Sequence, residues 1–110
     1  MARGDALLVG LPPSDGREQS GKRPVIAVQT DVAGDPMLIV TPVTSNLNAG
    51  RFPFSVQIEP SKSNGLSVPS IVMVFQMRAI DKGRIVKKIG LLSSSDVARI
   101  DAEIWKMLKP

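Results

Sequence analysis

Phe54-Ser55-Val56-Gln57-Ile58 alternates apolar and polar residues at every step. A period of two places Phe54, Val56 and Ile58 on one face of a strand and Ser55 and Gln57 on the other. Runs of similar length surround it, at Ala6 to Leu11, Val25 to Val28, Met37 to Val40, Ile71 to Phe75 and Ile85 to Ile89. Most are rich in valine and isoleucine and bounded by Gly, Pro, Asn, Asp or Ser, the composition of short strands between turns. The connections are too short for crossover helices, so neighbouring strands must pair antiparallel, and strands at this even spacing predict a small closed or nearly closed barrel. The prolines fall almost entirely between the runs. Pro42, following Leu38-Ile39-Val40-Thr41, is expected to mark where that strand leaves the sheet.

The pattern changes period after residue 93. Val97, Ile100, Ile104 and Leu108 recur at three- and four-residue spacing behind Ser94 or Ser95 as N-cap, with Asp96 in the first turn and Lys106 and Lys109 in the last. This predicts one amphipathic helix packed on the barrel, and a mainly β (α+β) fold. Trp105 and Met107 lie off that stripe, and a second apolar surface on a short terminal helix suits a symmetric homodimer.

At 110 residues the chain has room for one domain, expected to span 1–110. Its apolar fraction of 43% and charged fraction of 22% are those of a globular protein. No apolar run approaches the length of a membrane span and no leader pattern opens the chain, so no membrane association and a cytoplasmic location are expected. The absence of cysteine and histidine excludes disulfides, thiol nucleophiles and imidazole chemistry. No carboxylate spacing suggests a metal cage, so no metal or cofactor is expected. The net charge of +4 is compatible with an anionic partner. The basic excess is concentrated early: Ser94 to Pro110 is neutral, whereas Arg78, Lys82, Arg84, Lys87 and Lys88 face only Asp81 between residues 78 and 88. A charge run of this kind also reads as a solvated surface strand or turn.

The densest directional chemistry is Glu18-Gln19-Ser20-Gly21-Lys22-Arg23-Pro24, a carboxylate, an amide and a guanidinium on a segment made flexible by Gly16 and Gly21 and stopped by Pro24. Arg23 either anchors this loop at the surface or clamps an oxyanion with its rigid fork. Glu18 is either a general base, if burial raises its pKa, or the ion-pair partner that holds Arg23, the role preferred here. Gln19 can bond loop backbone or a base edge. Thr44 closes the third strand, and alternation allows only one of Thr44 and Ser45 to face a cleft there if the strand continues. Asn46 to Arg51 is a polar loop beside them, in which Arg51 and Phe52 could provide a phosphate contact and a stacking surface, or Phe52 could cover the barrel end. Arg78 and Asp81 read as a structural pair in the sheet.

Arg3-Gly4-Asp5 before the first run, Glu18-Gln19-x-Gly21-x-Arg23-Pro24, Val43-Thr44-Ser45 and Gln76-x-Arg78-x-Ile80-Asp81 stand in the order and spacing of the MazF/PemK toxins, which the chain resembles over nearly its whole length. The resemblance implies an SH3-like barrel of the CcdB/PemK kind and a toxin of a type II toxin-antitoxin pair. The implied activity is metal-independent, sequence-specific cleavage of single-stranded mRNA by attack of the 2′-hydroxyl on the adjacent phosphorus. Arg23 and Thr44 match the family's catalytic pair, Glu18, Gln19 and Ser45 would support the site, and Arg17, Lys22, Asn46, Arg51 and Phe52 would contact RNA. The implied partners are single-stranded RNA, a second copy of the chain, and the acidic tail of a MazE/PemI-like antitoxin. Two positions depart from the pattern: Arg17 stands where some members have histidine, and Phe75 where many have an acid. Proton transfer between those two groups is therefore not available to this chain. The alternatives are a gyrase poison of the CcdB type and a barrel that binds nucleic acid or peptide without cutting.

Overall fold

The computed structural model describes residues 1–10 and 21–109. Among these residues there are seven strands, β1 (Asp5–Gly10), β2 (Lys22–Ala27), β3 (Met37–Thr44), β4 (Ser55–Ile58), β5 (Ser70–Met73), β6 (Arg78–Asp81) and β7 (Ile85–Leu91), followed by helix α1 (Ser94–Leu108). All pair antiparallel, in the order β4-β5-β3-β2-β1-β7, with β6 alongside β3. The antiparallel sheet with one C-terminal helix is the expected class. β6 has no counterpart among the apolar runs because Arg-Ala-Ile-Asp lacks their composition; it is a short strand inside the basic stretch.

Pro42 does not end β3. It pairs with Val25 of β2, and the strand continues to Thr44. On its other edge β3 changes partner, from β6 up to Val40 to β5 from Val43 onward. Proline falls in that gap, where a missing N–H costs the ladder nothing. The buried Thr41 hydroxyl spans the gap by donating to the Met73 carbonyl at 2.8 Å.

The sheet is apolar on both faces. Ala6, Ile26, Val43, Val56, Ile58, Val72 and Val74 form one core with Leu92 and Ile100 under α1, while Leu7, Val9, Val25, Ala27, Leu38 and Val40 form a second, packed against Ile80 and Ile85. In β1 the two clusters interleave, Ala6 to one side and Leu7 and Val9 to the other, as a period of two requires. Register shifts leave Val86 and Ile89 of β7 as extra residues opposite β1, two bulges that increase the curl of the sheet. The 59–69 connection meets the end of β7. Leu91 N–H donates to Ser63 O at 2.7 Å, and backbone passes so close that a Cβ on Gly65, whose φ is +72°, would lie 2.1 Å from Ile89 O. A Cβ on Gly90 would lie 2.3 Å from the Asn64 carbonyl carbon. The buried Asn64 side chain organises that connection, accepting from Ser61 N and Leu66 N and donating to Glu59 O.

Arg3-Gly4-Asp5 is the entry to β1, each residue with a structural task. Arg3 bonds Val28 O and pairs with Asp101 of the helix. Gly4, at φ +89°, donates to Ala27 O and accepts from Leu92 N. Asp5, only 3% exposed, accepts from Ala2 N and pairs with Lys88 at 3.1 Å. The N-cap of α1 is Ser93, one or two residues earlier than the spacing suggested; its hydroxyl accepts from Asp96 N. Ile100 is buried, and Val97, Ile104 and Met107 complete the docked face. Leu108 instead lies with Trp105 on the exposed side, at 62% and 70% exposure. No helix among the described residues is long and apolar enough to cross a membrane.

Candidate functional site

Arg23 is the second residue of β2 and Thr44 the last of β3. The pairing of Val25 with Pro42, continued by two residues, sets Arg23 across from Thr44 where the two strands leave the barrel. Both residues line the same two cavities, one on each side of this end of the sheet. The first holds about 220 Å³ and has an apolar floor of Val9, Val25, Val40, Pro42, Met73 and Ile80 beneath Arg23, Arg78, Arg84 and Gln76. The second holds about 450 Å³ and is more polar, with Ser45, Ser67, Ser70 and Lys87 among its walls.

Local bonding orients Thr44. Its Oγ1 accepts from Asn46 N–H at 3.1 Å, so the hydroxyl keeps its proton for donation elsewhere. Asn46 in turn accepts from Asn48 N–H and caps the short turn Leu47–Arg51. Its side-chain oxygen is thereby engaged in holding the backbone beside Thr44. Ser45 is exposed and lines the second cavity with Thr44; because β3 stops at Thr44, strand alternation no longer separates the two.

The remaining expected residues are distributed as follows. Lys22 is exposed on β2, outside the walls of both cavities. Arg51 and Phe52 also lie outside those walls. The Arg51 guanidinium stands 5.0 Å over the Phe52 ring, which meets the Phe75 ring at 5.4 Å, a cationic and aromatic stack at the end of the turn after Thr44. Phe75 therefore fills its unusual position with a packing role. Phe54, half-buried against the core, precedes β4 with a φ of 61° rather than belonging to the strand. Arg17, Glu18 and Gln19 lie outside the described residues.

Arg78 and Asp81 do not pair. Asp81 caps the next turn by accepting from Gly83 N at 2.7 Å, while Arg78 lines the first cavity beside Arg23 and Arg84. Sequence reading thus missed Gln76, Arg78, Arg84 and Lys87 as cavity residues. For the three cations the signal was present in the basic run at 78–88, but its facing depended on β6 folding back along β3; Gln76, just before that run, stood only in the motif that carries the resemblance. Among the described residues no group of three or more acidic side chains could hold a metal. Among the described residues one carboxylate departs clearly from its usual titration: hydrogen bonding from Lys82 and the nearby positive charges hold Asp31 below the ordinary aspartate range, against a smaller opposing effect of burial. It lies outside the walls of both cavities.

The described site therefore combines an oriented hydroxyl, a guanidinium that borders the same two cavities from the adjacent strand, and flanking walls in which cations outnumber carboxylates. Such a site is equipped to hold an anion and stabilise charge developing on it. Comparison with known proteins points the same way. The chain is 36% identical over 106 residues to Endoribonuclease MazF of Staphylococcus saprophyticus, covering 94% of this chain and 88% of the relative. It is 37% identical over 103 residues to Endoribonuclease MazF of Staphylococcus epidermidis, covering 92% and 85%. In fold it is similar to a chain of a MazE-MazF crystal structure from Deinococcus radiodurans, with a TM-score of 0.80 over 98% of this chain and 95% of that one at 21% identity. Residues 2–108 match the model of the PemK-like, MazF-like toxins of type II toxin-antitoxin systems, and the chain belongs to that family.

Proposed function

We propose that this protein is the toxin of a type II toxin-antitoxin pair and acts as a metal-independent, sequence-specific endoribonuclease on single-stranded mRNA, inhibiting translation and growth. The observation that carries the reading is the shared position of Arg23 and Thr44 on the walls of both cavities, in a chain of this family. The RNA supplies its own nucleophile. As the 2′-oxygen attacks phosphorus its proton passes to water or a neighbouring base, the bond to the 5′-oxygen breaks, and the departing oxygen takes a proton from water. The products are a 2′,3′-cyclic phosphate, which water can open to a 3′-phosphate, and a 5′-hydroxyl end. Arg23 binds the non-bridging oxygens as charge builds on them, and Thr44 donates its hydroxyl proton to one of them. The Arg51–Phe52 stack suits a contact with an unpaired nucleotide beyond the cavities.

The proposed working unit is a symmetric homodimer, supported by the exposed Trp105 and Leu108 on the outer side of α1. The proposed silencing partner is a MazE/PemI-like antitoxin, whose acidic, disordered tail would lie along the cationic cleft. Support comes from structural relatives described as a MazE-MazF complex and as a mycobacterial endoribonuclease with its cognate antitoxin. Incubating purified protein with a defined RNA in EDTA and mapping both new ends tests the enzymatic reading. Cyclic or 3′-phosphate and 5′-hydroxyl termini are expected. A protein that leaves RNA intact but arrests DNA gyrase would be a poison of the CcdB type, and one that binds RNA without cutting would be a non-catalytic barrel.

A further inference from the structure

The smaller cavity beside Arg23 has chemistry that phosphate binding does not require. Its floor is apolar, and at about 220 Å³ it falls below the roughly 300–1,000 Å³ of pockets that accept drug-sized ligands. That is room for one planar ring system, not for a run of nucleotides. Arg23, Arg78 and Arg84 contribute to its walls, and no carboxylate does so among the described residues. Neither Arg78 nor Arg84 is engaged in an ion pair. A flat apolar body joined to an anionic chain fits such a cavity, the ring on the floor and the charge among the guanidinium groups.

Gln76 supplies the remaining element. It sits on the single 3₁₀ turn Val74–Gln76 between β5 and β6, which is anchored by the buried Val74, by Met77 N–H to Val74 O at 3.0 Å, and by Phe75 N–H to Phe54 O at 3.2 Å. Its own amide makes no hydrogen bond within the described fold. An unengaged amide offers a donor and an acceptor together, the combination that recognises the edge of a base. A carboxylate-bearing peptide would also use the arginines, and its backbone would satisfy the amide; the small apolar floor is what favours a ring over an extended chain.

We propose that this cavity takes one nucleobase adjoining the scissile phosphate, and that Gln76 determines which base is accepted there. The proposal rests on the ribonuclease reading and adds to it a residue that sets sequence preference. The test is cleavage of a randomised single-stranded RNA pool by the wild-type protein, Gln76→Leu and Gln76→Glu, with the new ends sequenced. The wild type is expected to favour one base at a position bordering the cut. Gln76→Leu should flatten preference at that position by roughly 5- to 150-fold, the discrimination expected from one well-placed amide pair, while other positions keep their profile. Gln76→Glu, nearly isosteric and with no internal bond to lose, should change the favoured base rather than flatten the choice, because it exchanges a donor for an acceptor. If both variants cut with the wild-type profile at every position, the proposal is overturned and the ribonuclease reading stands; an acidic peptide that binds wild type but not Arg84→Ala would then identify the cavity's occupant. If the wild type cuts no RNA, both readings fail together.

Discussion

Arg23 on β2 and Thr44 on β3 each stand two positions beyond the last paired residues of those strands, Val25 and Pro42, and both border the same two cavities. Arg23→Ala is expected to abolish RNA cleavage while leaving the circular dichroism spectrum and unfolding midpoint close to wild type, because an exposed guanidinium contributes little to the core. Thr44→Ala should lose on the order of 10- to 1,000-fold in rate, the range for one oriented donor. Single-turnover kinetics on a defined RNA measures both, and a wild-type rate for Arg23→Ala would remove this pair from the chemistry.

Cutting should continue in EDTA, since the chain has no histidine or cysteine and no suitable acidic cluster among its described residues. Loss in chelator with recovery on adding magnesium would contradict this. RNA affinity should fall with salt at about 0.7 log units per log unit for each phosphate contacted, and Arg84→Ala should reduce the slope by about one such step. Filter binding between low and moderate ionic strength gives the slope.

Acid should weaken the fold partly through Asp31. Its pKa is depressed by Lys82, so its stabilising contribution is fully present above the unfolded-state value near 3.8 and disappears as pH falls through the lower folded-state value. Asp31→Asn should accordingly melt below wild type at pH 7, and the difference between the two should shrink and vanish as pH falls below the unfolded-state value of 3.8 and through the lower folded-state one. A difference that persists unchanged into acid would assign the effect to something other than this charge.

Gly65→Ala should be among the most damaging single substitutions. The added carbon would need both a left-handed backbone and space now held by Ile89 O, 2.1 Å away. Together these effects cost roughly 2–6 kcal/mol, a large share of a typical domain's stability of roughly 5–15 kcal/mol. Urea denaturation measures the loss. Gly34→Ala has the same positive φ with open space around it and should cost much less.

Sedimentation at micromolar concentration should give about 24 kDa, twice the 11.8 kDa chain mass. Trp105 is 70% exposed in one copy, so its emission should shift to the blue as concentration rises through the dimerisation range. Trp105→Glu should move that range upward. Full nuclease activity from a monomer at nanomolar concentration would exclude the dimer as the working unit and leave the catalytic pair intact.

The strand-rich sheet and the terminal helix were legible because each depends on a local period that survives in one dimension. Helix orientation was less so: Leu108 and Met107 are adjacent, and only packing against the barrel shows that Met107 turns inward while Leu108 joins Trp105 outside. Pro42 was misread for a related reason, since its tolerance depends on β3 changing partners. The core positions of the described site, Arg23 and Thr44, were marked by their residue types and by resemblance. Gln76, Arg78 and Arg84 were hidden because a 3₁₀ turn and a four-residue strand redirect a basic segment onto the cavity rim, a fold-back without a local periodic signal.

Closing the ladder between β1 and β7 joins residues near opposite ends of the sequence, and both cavities take walls from each: Val9 and Arg84 in one, Leu8 and Lys87 in the other. A growing polypeptide that has not yet emerged past Leu91 lacks part of each wall, however well its earlier strands have paired. Such distant pairing is also slow to form. Competence of the proposed site therefore waits on β7 having been made and paired with β1, whatever the state of the strands before it.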